Sequence, residues 1–287
     1  MSADLASQIA AAALSAQEGG PPVLVATVIA APAEATVQVG AKLLLRADGS
    51  SLGALDEGPI QESVRAEAAD AFRRHGVQSL YFATDGAHLS RREVLGRPSY
   101  QVMLEVHERA ATLLIVGGGH IGSALATIGN LCDFSVAVVD DRADFANAER
   151  FPQADTVICG DFVETLREFP IDANTYIVCV TRGHKHDEAS LRQVAGSPAA
   201  YIGMIGSRRR VGIVLNHLRE EGVDPEAIAC VHTPIGLDIG AETPEEIAVS
   251  IMAEVIQVRR GGSGRSMREL KRIRHGVAPD ERIHTED

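Results

Sequence analysis

The second half of the chain alternates short apolar runs with longer segments of helical periodicity. Each run is four to six residues long, and charge enters these runs only at the end of one of them. Continuous apolar runs separated by helices are typical of a parallel sheet whose two faces are both covered. We therefore predict a Rossmann-like, doubly wound α/β domain with strands at TLLIV (112–116), SVAVVD (135–140), TVIC (156–159), TYIVCV (175–180) and AYIGMI (200–205).

The segment TPEEIAVSIMAEVIQVRR is predicted to be the last helix of this domain, because it begins with a strong N-terminal cap. Thr243 stands at the N-cap, Pro244 at the first helical position, and Glu246 closes a capping box. We place the domain at residues 110–262. Residues 263–287 begin with a Gly/Ser stretch and are then highly charged, so we expect a flexible, poorly ordered tail.

The first part of the chain mixes both periodicities and predicts a smaller α+β domain at residues 1–109. From Ile60 the apolar residues recur at helical spacing, with Gly76 as the expected C-cap. The Ala-rich N-terminus lacks a basic segment and is expected to be a helix rather than a signal peptide. Strands are predicted at VLVATVIA (23–30), at QVMLEV (101–106), and on either side of an Asp48-Gly49 turn within 41–55.

Composition and charge narrow the class of protein. The chain has 287 residues, of which 45% are hydrophobic and 23% charged, as in a globular protein of one large or two ordinary domains. The formal net charge of −12 argues against binding to nucleic acid or to an anionic membrane, and no apolar run is long enough to span a bilayer. The four cysteines are scattered, which argues against a zinc site and fits a cytoplasmic protein.

The segment LLIVGGGHIGSALA predicts a dinucleotide-binding loop. Its Gly-x-Gly-x-x-Gly pattern, at Gly117, Gly119 and Gly122, follows a predicted strand and opens a predicted helix. The first glycine makes a tight turn, the second lets a pyrophosphate approach the backbone, and the third lets helix and strand pack closely. The helix N-terminus would hold phosphates, with Gly118 and His120 as further contacts. The alternative is that the glycines serve packing alone and the site is empty or used differently.

Charged residues after the next predicted strand would complete such a site. Asp140 is placed to bond the ribose hydroxyls of NAD, whereas Arg142 could accommodate the 2′-phosphate of NADP. NAD is therefore mildly preferred over NADP. His120 is expected to shape the glycine loop rather than to act as a catalyst.

The loop CVTRGHKHDEAS, after the fourth strand of this domain, gathers several polar side chains. Arg182, His184, His186 and Asp187 lie where open α/β sheets bind ligands, at the carboxyl ends of the strands. Two histidines and an aspartate suit acid–base chemistry or a metal, so His184, His186 and Asp187 are the candidate catalytic residues. A structural interpretation stays open, in which Asp187 caps the next helix. We expect a ligand contact here and no metal.

Three arginines follow the next strand, in YIGMIGSRRR. If Ser207 caps a helix, Arg208, Arg209 and Arg210 fall in its first turn, where the helix dipole disfavours cations. A bound phosphate would reverse that balance, because backbone N–H groups and guanidinium groups would bind it together. Ser207, Arg208 and Arg209 are therefore predicted ligand residues. The alternative is that the arginines point to solvent or pair with nearby carboxylates.

The segment HTPIGLDIGAETPEE, which contains His232 and Asp238, is too polar and glycine-rich for a simple connector. Closure over the sheet edge and an ordered turn fit it equally well. The chain has no Gly-x-Ser-x-Gly motif, no phosphate-loop lysine and no His-Glu-x-x-His motif. Hydrolase, kinase and zinc-protease functions therefore have no support.

Taken together, these segments resemble one family, the xanthine dehydrogenase accessory proteins of the XdhC/CoxI type. The resemblance implies a cytoplasmic maturation factor that binds molybdenum cofactor and supports its insertion, in sulfurated form, into a molybdenum hydroxylase such as xanthine dehydrogenase. It also implies a cysteine desulfurase as partner and a homodimer. The matching segments are LLIVGGGHIG, VVDDRADFANAERFPQAD, VTRGHKHDEASLRQ, YIGMIGSRRR and HTPIGLDIGAETPEEIAVSIMAEVI, which cover residues 110–260 in order.

The first domain resembles that family less closely. GAKLLLRADGSSLGAL is similar to the hairpin of the family's first domain. The family has a Gly-Ser-Ser-Pro-Arg-type loop before this hairpin and a Gly-Gly-Cys-Leu-Glu-type loop after it, whereas this chain has APAEATVQ and LDEGPIQE. The resemblance therefore implies a diverged first domain without that cysteine.

The resemblance, together with the glycine and arginine motifs, favours a non-enzymatic accessory factor that binds molybdenum cofactor or a dinucleotide. A second interpretation is an NAD(P)-dependent oxidoreductase in which His184 or His186 acts as acid–base. A third is an NAD(P)-binding regulatory module that changes the affinity of a partner. Turnover of nicotinamide would indicate the enzyme, and stoichiometric binding without turnover would indicate an accessory or regulatory protein.

Overall fold

The computed structural model describes residues 3–35, 37–55 and 58–274, with the side chains of His184 and of residues 271–274 outside that description. The chain divides into two compact units, Met1–Ala110 and Ala111–Asp287. Each unit is built around one six-stranded sheet. No helix within the described ranges is long and apolar enough to cross a membrane.

The first unit combines helices and antiparallel strands. The N-terminus is helical, and the predicted apolar runs form strands. Two further strands, Val77–Ala83 and His88–Leu89, were not predicted. In chain order the elements are α1 (Ala3–Gln17), β1 (Val23–Ala30), β2 (Lys42–Arg46), β3 (Ser51–Gly53), α2 (Pro59–Arg74), β4 (Val77–Ala83), β5 (His88–Leu89) and β6 (Ser99–His107).

The sheet of this unit has a helix on each face. Its strand order is β3-β2-β1-β6-β4-β5, and all neighbouring strands run antiparallel. Ile9 of α1 packs with Val25 on one face, and Val64 of α2 packs with Leu24 and Leu104 on the other. This arrangement confirms the predicted α+β fold.

Two local predictions in the first unit have different outcomes. The β2–β3 hairpin forms around Asp48-Gly49, where Gly49 has a φ of 84° and Asp48 Oδ1 accepts the Ser50 N–H at 2.8 Å. The C-cap of α2, however, is His75 rather than Gly76, and both residues have positive φ. The His75 ring lies 2.7 Å from Glu108 Oε1, a contact that anchors the histidine at this position.

The second unit alternates strands and helices along the chain. All five predicted strands are present, and a short sixth strand follows them. The elements are β7 (Thr112–Val116), α3 (His120–Leu131), β8 (Ser135–Asp140), β9 (Thr156–Cys159), α4 (Phe162–Glu168), β10 (Thr175–Cys179), α5 (His184–Val194), β11 (Tyr201–Met204), α6 (Arg208–Glu220), α7 (Pro225–Ala229), β12 (Val231–His232), α8 (Pro244–Arg260) and α9 (Met267–Arg274).

The sheet of the second unit has the strand order of a Rossmann domain. All its strands are parallel in the order β12-β11-β10-β7-β8-β9, so the order reverses between β7 and β10. Ligands of such sheets bind in the crevice at that reversal, outside the carboxyl ends of the strands. The predicted Rossmann-like fold is confirmed.

The continuous apolar runs follow from burial on both faces. In β7, Leu113 and Ile115 pack against α3 and α8, whereas Leu114 and Val116 pack on the face covered by α4, α5 and α6. Each fully buried side chain of this size contributes roughly 1.5–3 kcal/mol. Because both faces of the strand are buried, a polar residue at any of these positions would lose that contribution.

The last helices of the unit are α8, which has the predicted cap, and α9, which lies in the segment predicted to be a flexible tail. In the capping box of α8, Thr243 Oγ1 accepts the Glu246 N–H, and Glu246 Oε2 accepts the Thr243 N–H. Within the segment expected to be poorly ordered, Met267–Arg274 form the helix α9. The remaining part of that segment, 275–287, lies outside the described residues.

Candidate functional site

The glycine loop, residues 117–119, lies where the strand order reverses. It follows β7, and the chain leaving the neighbouring β10 lies against it, since a Cβ on Gly117 would come within 2.5 Å of Val180 O. Gly117 has a φ of 118°, which L side chains rarely adopt. The glycine motif therefore sits at the edge where open α/β sheets bind ligands.

The other glycines of this motif differ in their surroundings. A Cβ on Gly118 would lie 2.1 Å from Phe145 O, and one on Gly122 would lie 2.0 Å from Gly117 O. A Cβ on Gly119, the N-cap of α3, would meet no described atom within 4 Å. Packing thus requires two of these glycines and leaves the side of Gly119 open to a ligand. His120 is exposed at the start of α3.

Asp140 is turned into the protein. It is 1% exposed, and its carboxylate accepts the Gly118 N–H at 2.9 Å and the Arg142 Nε–H at 2.8 Å. Burial raises the pKa of Asp140, but the hydrogen bonds from Arg142 and Gly118 outweigh burial and hold the pKa below its ordinary value. These oxygens hold the glycine loop in place, and the contact with a ribose stays a prediction.

The nearby arginines are also engaged. The Arg142 guanidinium pairs with Asp140 and lies 3.6 Å from the centre of the Phe145 ring, and its contact with a 2′-phosphate stays a prediction. Arg182 makes a two-pronged ion pair with Asp141, at 2.6 and 2.9 Å. This pair links the loops that follow β8 and β10. In the sequence, the second acidic residue of VVDDR, Asp141, was the feature from which this ion pair could have been predicted.

The histidine loop does not form an acid–base cluster among its described side chains. Asp187 is buried, and its Oδ1 accepts the N–H and the hydroxyl of Thr181 at 3.0 and 2.7 Å. The His186 ring packs edge-on against Phe162, with centroids 5.4 Å apart. Gly183, not Asp187, is the N-cap of α5. His184 begins α5, and its side chain lies outside the described residues.

The arginines of YIGMIGSRRR occupy the first turn of α6, as predicted. Ser207 is the N-cap, and its hydroxyl accepts the Arg210 N–H. Arg208, Arg209 and Arg210, here called the α6 arginines, are all exposed. Within the described ranges, none of them forms an ion pair with a carboxylate. The alternative of pairing with acidic neighbours is therefore not realised there.

The arginine-containing loops that follow β10 and β11 meet at a space of about 190 Å³, here called the cleft. One side is formed by residues 181–183 with Asp187, and the other by residues 204–206 with Arg210. Neighbouring parallel strands β10 and β11 bring these two segments together, although about twenty residues separate them along the chain. The cleft is therefore the place where the two motifs can act on one ligand.

A buried polar network that the sequence analysis missed holds the loop between β12 and α8. Glu254 Oε2 accepts the Tyr201 hydroxyl at 2.6 Å and the Gly236 N–H at 2.9 Å, and His232 Nδ1 lies 3.6 Å from Oε1. Burial raises the pKa of Glu254, but the bonds from His232, Tyr201 and Gly236 bring it below its ordinary value. In the sequence, an acidic residue one turn after the apolar Ile251 of α8 was the feature that could have indicated this network.

The same loop is attached to the edge that carries the cleft. Thr233 Oγ1 donates to Met204 O at 3.0 Å, and the Ile235 N–H donates to the same oxygen. Asp238 is exposed. Of the two interpretations of HTPIGLDIGAETPEE, the structure shows an ordered turn that is tied to the end of β11.

Sulfur and metal ligands are sparse around the cleft. Cys179, at the end of β10, is fully buried, and burial raises the pKa of its thiol far above the ordinary value. Among the described residues, no group of three or more His, Cys, Asp or Glu side chains could hold a metal ion. The charged residues that line the cleft are Arg182, Asp187 and Arg210.

Comparison with known proteins gives a family match in each unit. Residues 16–82 match the XdhC and CoxI family, and residues 113–255 match the XdhC Rossmann domain. The chain is 33% identical over 232 residues to the uncharacterized protein YqeB of Escherichia coli (strain K12), covering 80% of this chain and 42% of that protein. It is 34% identical over 148 residues to a probable xanthine dehydrogenase subunit of Bacillus subtilis (strain 168), covering 52% and 43%.

The chain therefore spans less than half the length of these curated relatives. A crystal structure from Bacillus halodurans, named a xanthine dehydrogenase, has a TM-score of 0.51 and 19% identity, covering 90% of this chain and 97% of that one, so the fold is shared. The motifs at the cleft all lie within the Rossmann-domain match. The chain belongs to the XdhC and CoxI family.

Proposed function

We propose that this protein is an accessory factor that binds molybdenum cofactor as cargo and supports its insertion, in sulfurated form, into a molybdenum hydroxylase such as xanthine dehydrogenase. The observation that carries the proposal is the position of the α6 arginines, which are exposed in the first turn of α6, where Arg210 lines the cleft. Family membership supports an accessory role, and the name of the Bacillus subtilis relative supports the client.

The α6 arginines suit the phosphate of this cofactor. Cations in the first turn of a helix are disfavoured by about 0.3–1 kcal/mol each when exposed, because the N–H groups there carry partial positive charge. A phosphate turns this cost into attraction, since each charge-assisted hydrogen bond contributes roughly 1.5–3 kcal/mol. Ser207, Arg208 and Arg209 would hold the phosphate, and the open side of Gly183 lets it approach the cleft.

The chain's own residues bind the cargo and do not transform it. When bound, the cofactor supplies the molybdenum and its sulfur to the client enzyme. Cys179, the cysteine at the end of β10, is fully buried, and burial raises the pKa of its thiol. The proposal includes a cysteine desulfurase as the source of sulfur, which rests on the family resemblance.

A homodimer and a cytoplasmic setting complete the proposal. Free thiols are the usual state of cysteine in a reducing compartment, and the four cysteines of this chain are free. The dimer rests on the family resemblance alone.

An NAD(P)-binding protein is the second candidate, because the strand order and the open side of Gly119 favour a dinucleotide. The orientation of Asp140 weighs against it, since both carboxylate oxygens are engaged. In an oxidoreductase His184 or His186 would act as acid–base, and the His186 ring packs edge-on against Phe162.

Calorimetric titration with molybdenum cofactor released from a molybdoenzyme, and separately with NAD and NADP, tests this choice. We expect stoichiometric binding of the cofactor and no nicotinamide turnover. Arg208→Gln should weaken cofactor binding, whereas Arg167→Gln, at an exposed arginine in the last turn of α4, should not. Binding of NAD with turnover, and none of the cofactor, would establish the second candidate instead.

A further inference from the structure

A groove of about 510 Å³ runs between α5 and α6 and adjoins the cleft. Its α5 side is formed by Lys185, Glu188 and Arg192, and its α6 side includes Ile213 and His217. Arg210 and Val214 line both the groove and the cleft, so the two spaces meet at the first turns of α6. We call this space the outer groove.

Size separates the two spaces. Pockets that bury organic ligands usually measure about 300–1,000 Å³. The outer groove, at about 510 Å³, lies within that range, and the cleft, at about 190 Å³, lies below it. The cleft therefore suits a compact anionic group, and the outer groove can hold the organic part attached to it.

The charges of the outer groove favour an anionic occupant. Its acidic residue, Glu188, is neutralised by Arg192 at 3.0 Å and lies 3.3 Å from His217 Nδ1. Arg192 is held further by Glu221. Arg210, at the junction with the cleft, and Lys185, on the α5 side of the groove, have no carboxylate partner in the part of the chain that the structure describes. The net effect is a cationic entrance to the groove.

The remaining surface suits a flat heterocycle. Ile213 is 48% exposed on α6, beside Val214, and gives the groove an apolar floor. Arg192 is fixed on two sides by Glu188 and Glu221. A guanidinium fixed in this way offers its planar face for stacking on an aromatic ring.

We infer that the outer groove binds a nucleoside phosphate, as the nucleotide end of an extended ligand whose other phosphate lies in the cleft. The inference deepens the proposed function and rests on it: the cargo would be a nucleotide-extended form of the cofactor. Lys185 and Arg210 would bind the phosphate at the junction, and Ile213 with Arg192 would bind the nucleoside.

Titration with CMP, GMP and AMP, each compared with inorganic phosphate, tests the inference on the full chain. At least one nucleotide should bind ten times more tightly than phosphate. Ile213→Glu should abolish that difference, because it places a carboxylate on the apolar floor. Val249→Glu is the matched control, since Val249 is 50% exposed on α8, which covers the opposite face of the sheet.

Lys185→Gln provides a second variant if Ile213→Glu fails to fold, and it should weaken nucleotide binding several-fold, because Lys185 would bind the phosphate of the nucleotide. Equal binding of nucleotides and phosphate would overturn the inference. So would a change in self-association on Ile213→Glu without a change in nucleotide affinity, which would make the groove a protein contact. If the protein binds the cofactor but no nucleotide, the inference is wrong and the proposed function stands. If it binds a nucleotide but not the cofactor, the proposed function is wrong and the outer groove is still a nucleotide site.

Discussion

Two regions at the carboxyl edge of the same sheet differ in whether their charged side chains form ion pairs. Around the glycine loop, Asp140 pairs with Arg142, and Asp141 pairs with Arg182. At the start of α6, Arg208 and Arg209 have no carboxylate partner within the described ranges, although the helix dipole disfavours them there. Charges of the first kind hold the protein together. For charges of the second kind, we propose a bound phosphate as the partner.

The glycines of the motif also divide into those that packing requires and one that it does not. Gly118 and Gly122 are required by neighbouring backbone oxygens, whereas Gly119 faces open space among the described atoms. One motif therefore combines positions that serve packing with a position that packing does not explain. Mutation at matched positions separates the two roles.

The largest effect is expected at Gly122. Gly122→Ala places a methyl group about 2.0 Å from Gly117 O, which forces α3 away from β7. We expect a loss of about 3 kcal/mol or more in the free energy of unfolding, at the upper end of overpacking costs. Gly119→Ala, the matched control, should change it by less than about 1 kcal/mol. Urea unfolding of the two variants measures the difference, and equal losses would contradict the assignment.

Asp140→Ala should have the next largest effect on stability. It leaves the Gly118 N–H and a partly buried guanidinium without their acceptor, at a cost of about 2–3 kcal/mol. Because the pKa of Asp140 is lowered in the folded state, its contribution is present above the ordinary value of 3.8 and is lost as pH falls through the lower folded value.

Urea unfolding of Asp140→Asn at neutral pH and below about pH 4 checks this sign. The difference between wild type and Asp140→Asn should shrink in acid. A difference that grows as pH falls would show that Asp140 is not the charged partner of Arg142. Glu254, whose pKa is lowered in the same direction, should keep contributing to the acid sensitivity of the variant.

The α6 arginines should show a smaller effect, and on a different property. Arg208→Gln or Arg209→Gln should leave the ligand-free protein equally stable or up to about 0.5 kcal/mol more stable, because a disfavoured cation is removed. Affinity for the phosphate-bearing ligand should fall about tenfold or more, which corresponds to about 1.4 kcal/mol. Thermal melts with and without molybdenum cofactor measure both. Loss of stability with unchanged affinity would make these arginines structural.

The smallest effect is expected at Arg182, the paired counterpart. Its ion pair with Asp141 is well formed, but the Arg182 side chain is 41% exposed, so Arg182→Gln should cost less than about 1 kcal/mol. Salt should reduce this cost, because exposed charges are screened. Urea unfolding at low and high salt measures it. If Arg182→Gln lowers ligand affinity as much as Arg208→Gln does, Arg182 is a ligand-binding residue and not only a partner of Asp141.

Much of the fold could be predicted from local patterns. Every strand expected in the second unit formed at its apolar run, because a strand covered on both faces needs an unbroken apolar sequence. The cap at Thr243 and Glu246 is encoded within four residues and formed as expected. The strand β12 was missed, since two residues carry too little pattern.

The site was less predictable, because its chemistry depends on partners distant in sequence. The sequence by itself placed a glycine loop, a histidine loop and an arginine cluster at the ends of strands, since strand direction follows from the parallel fold. Tertiary structure alone decided that Asp140 turns inward to Gly118, that His186 packs on Phe162, and that Tyr201 meets Glu254. Local periodicity specifies which residues are buried, but a buried polar group takes whichever partner the packing of other elements brings within hydrogen-bond distance.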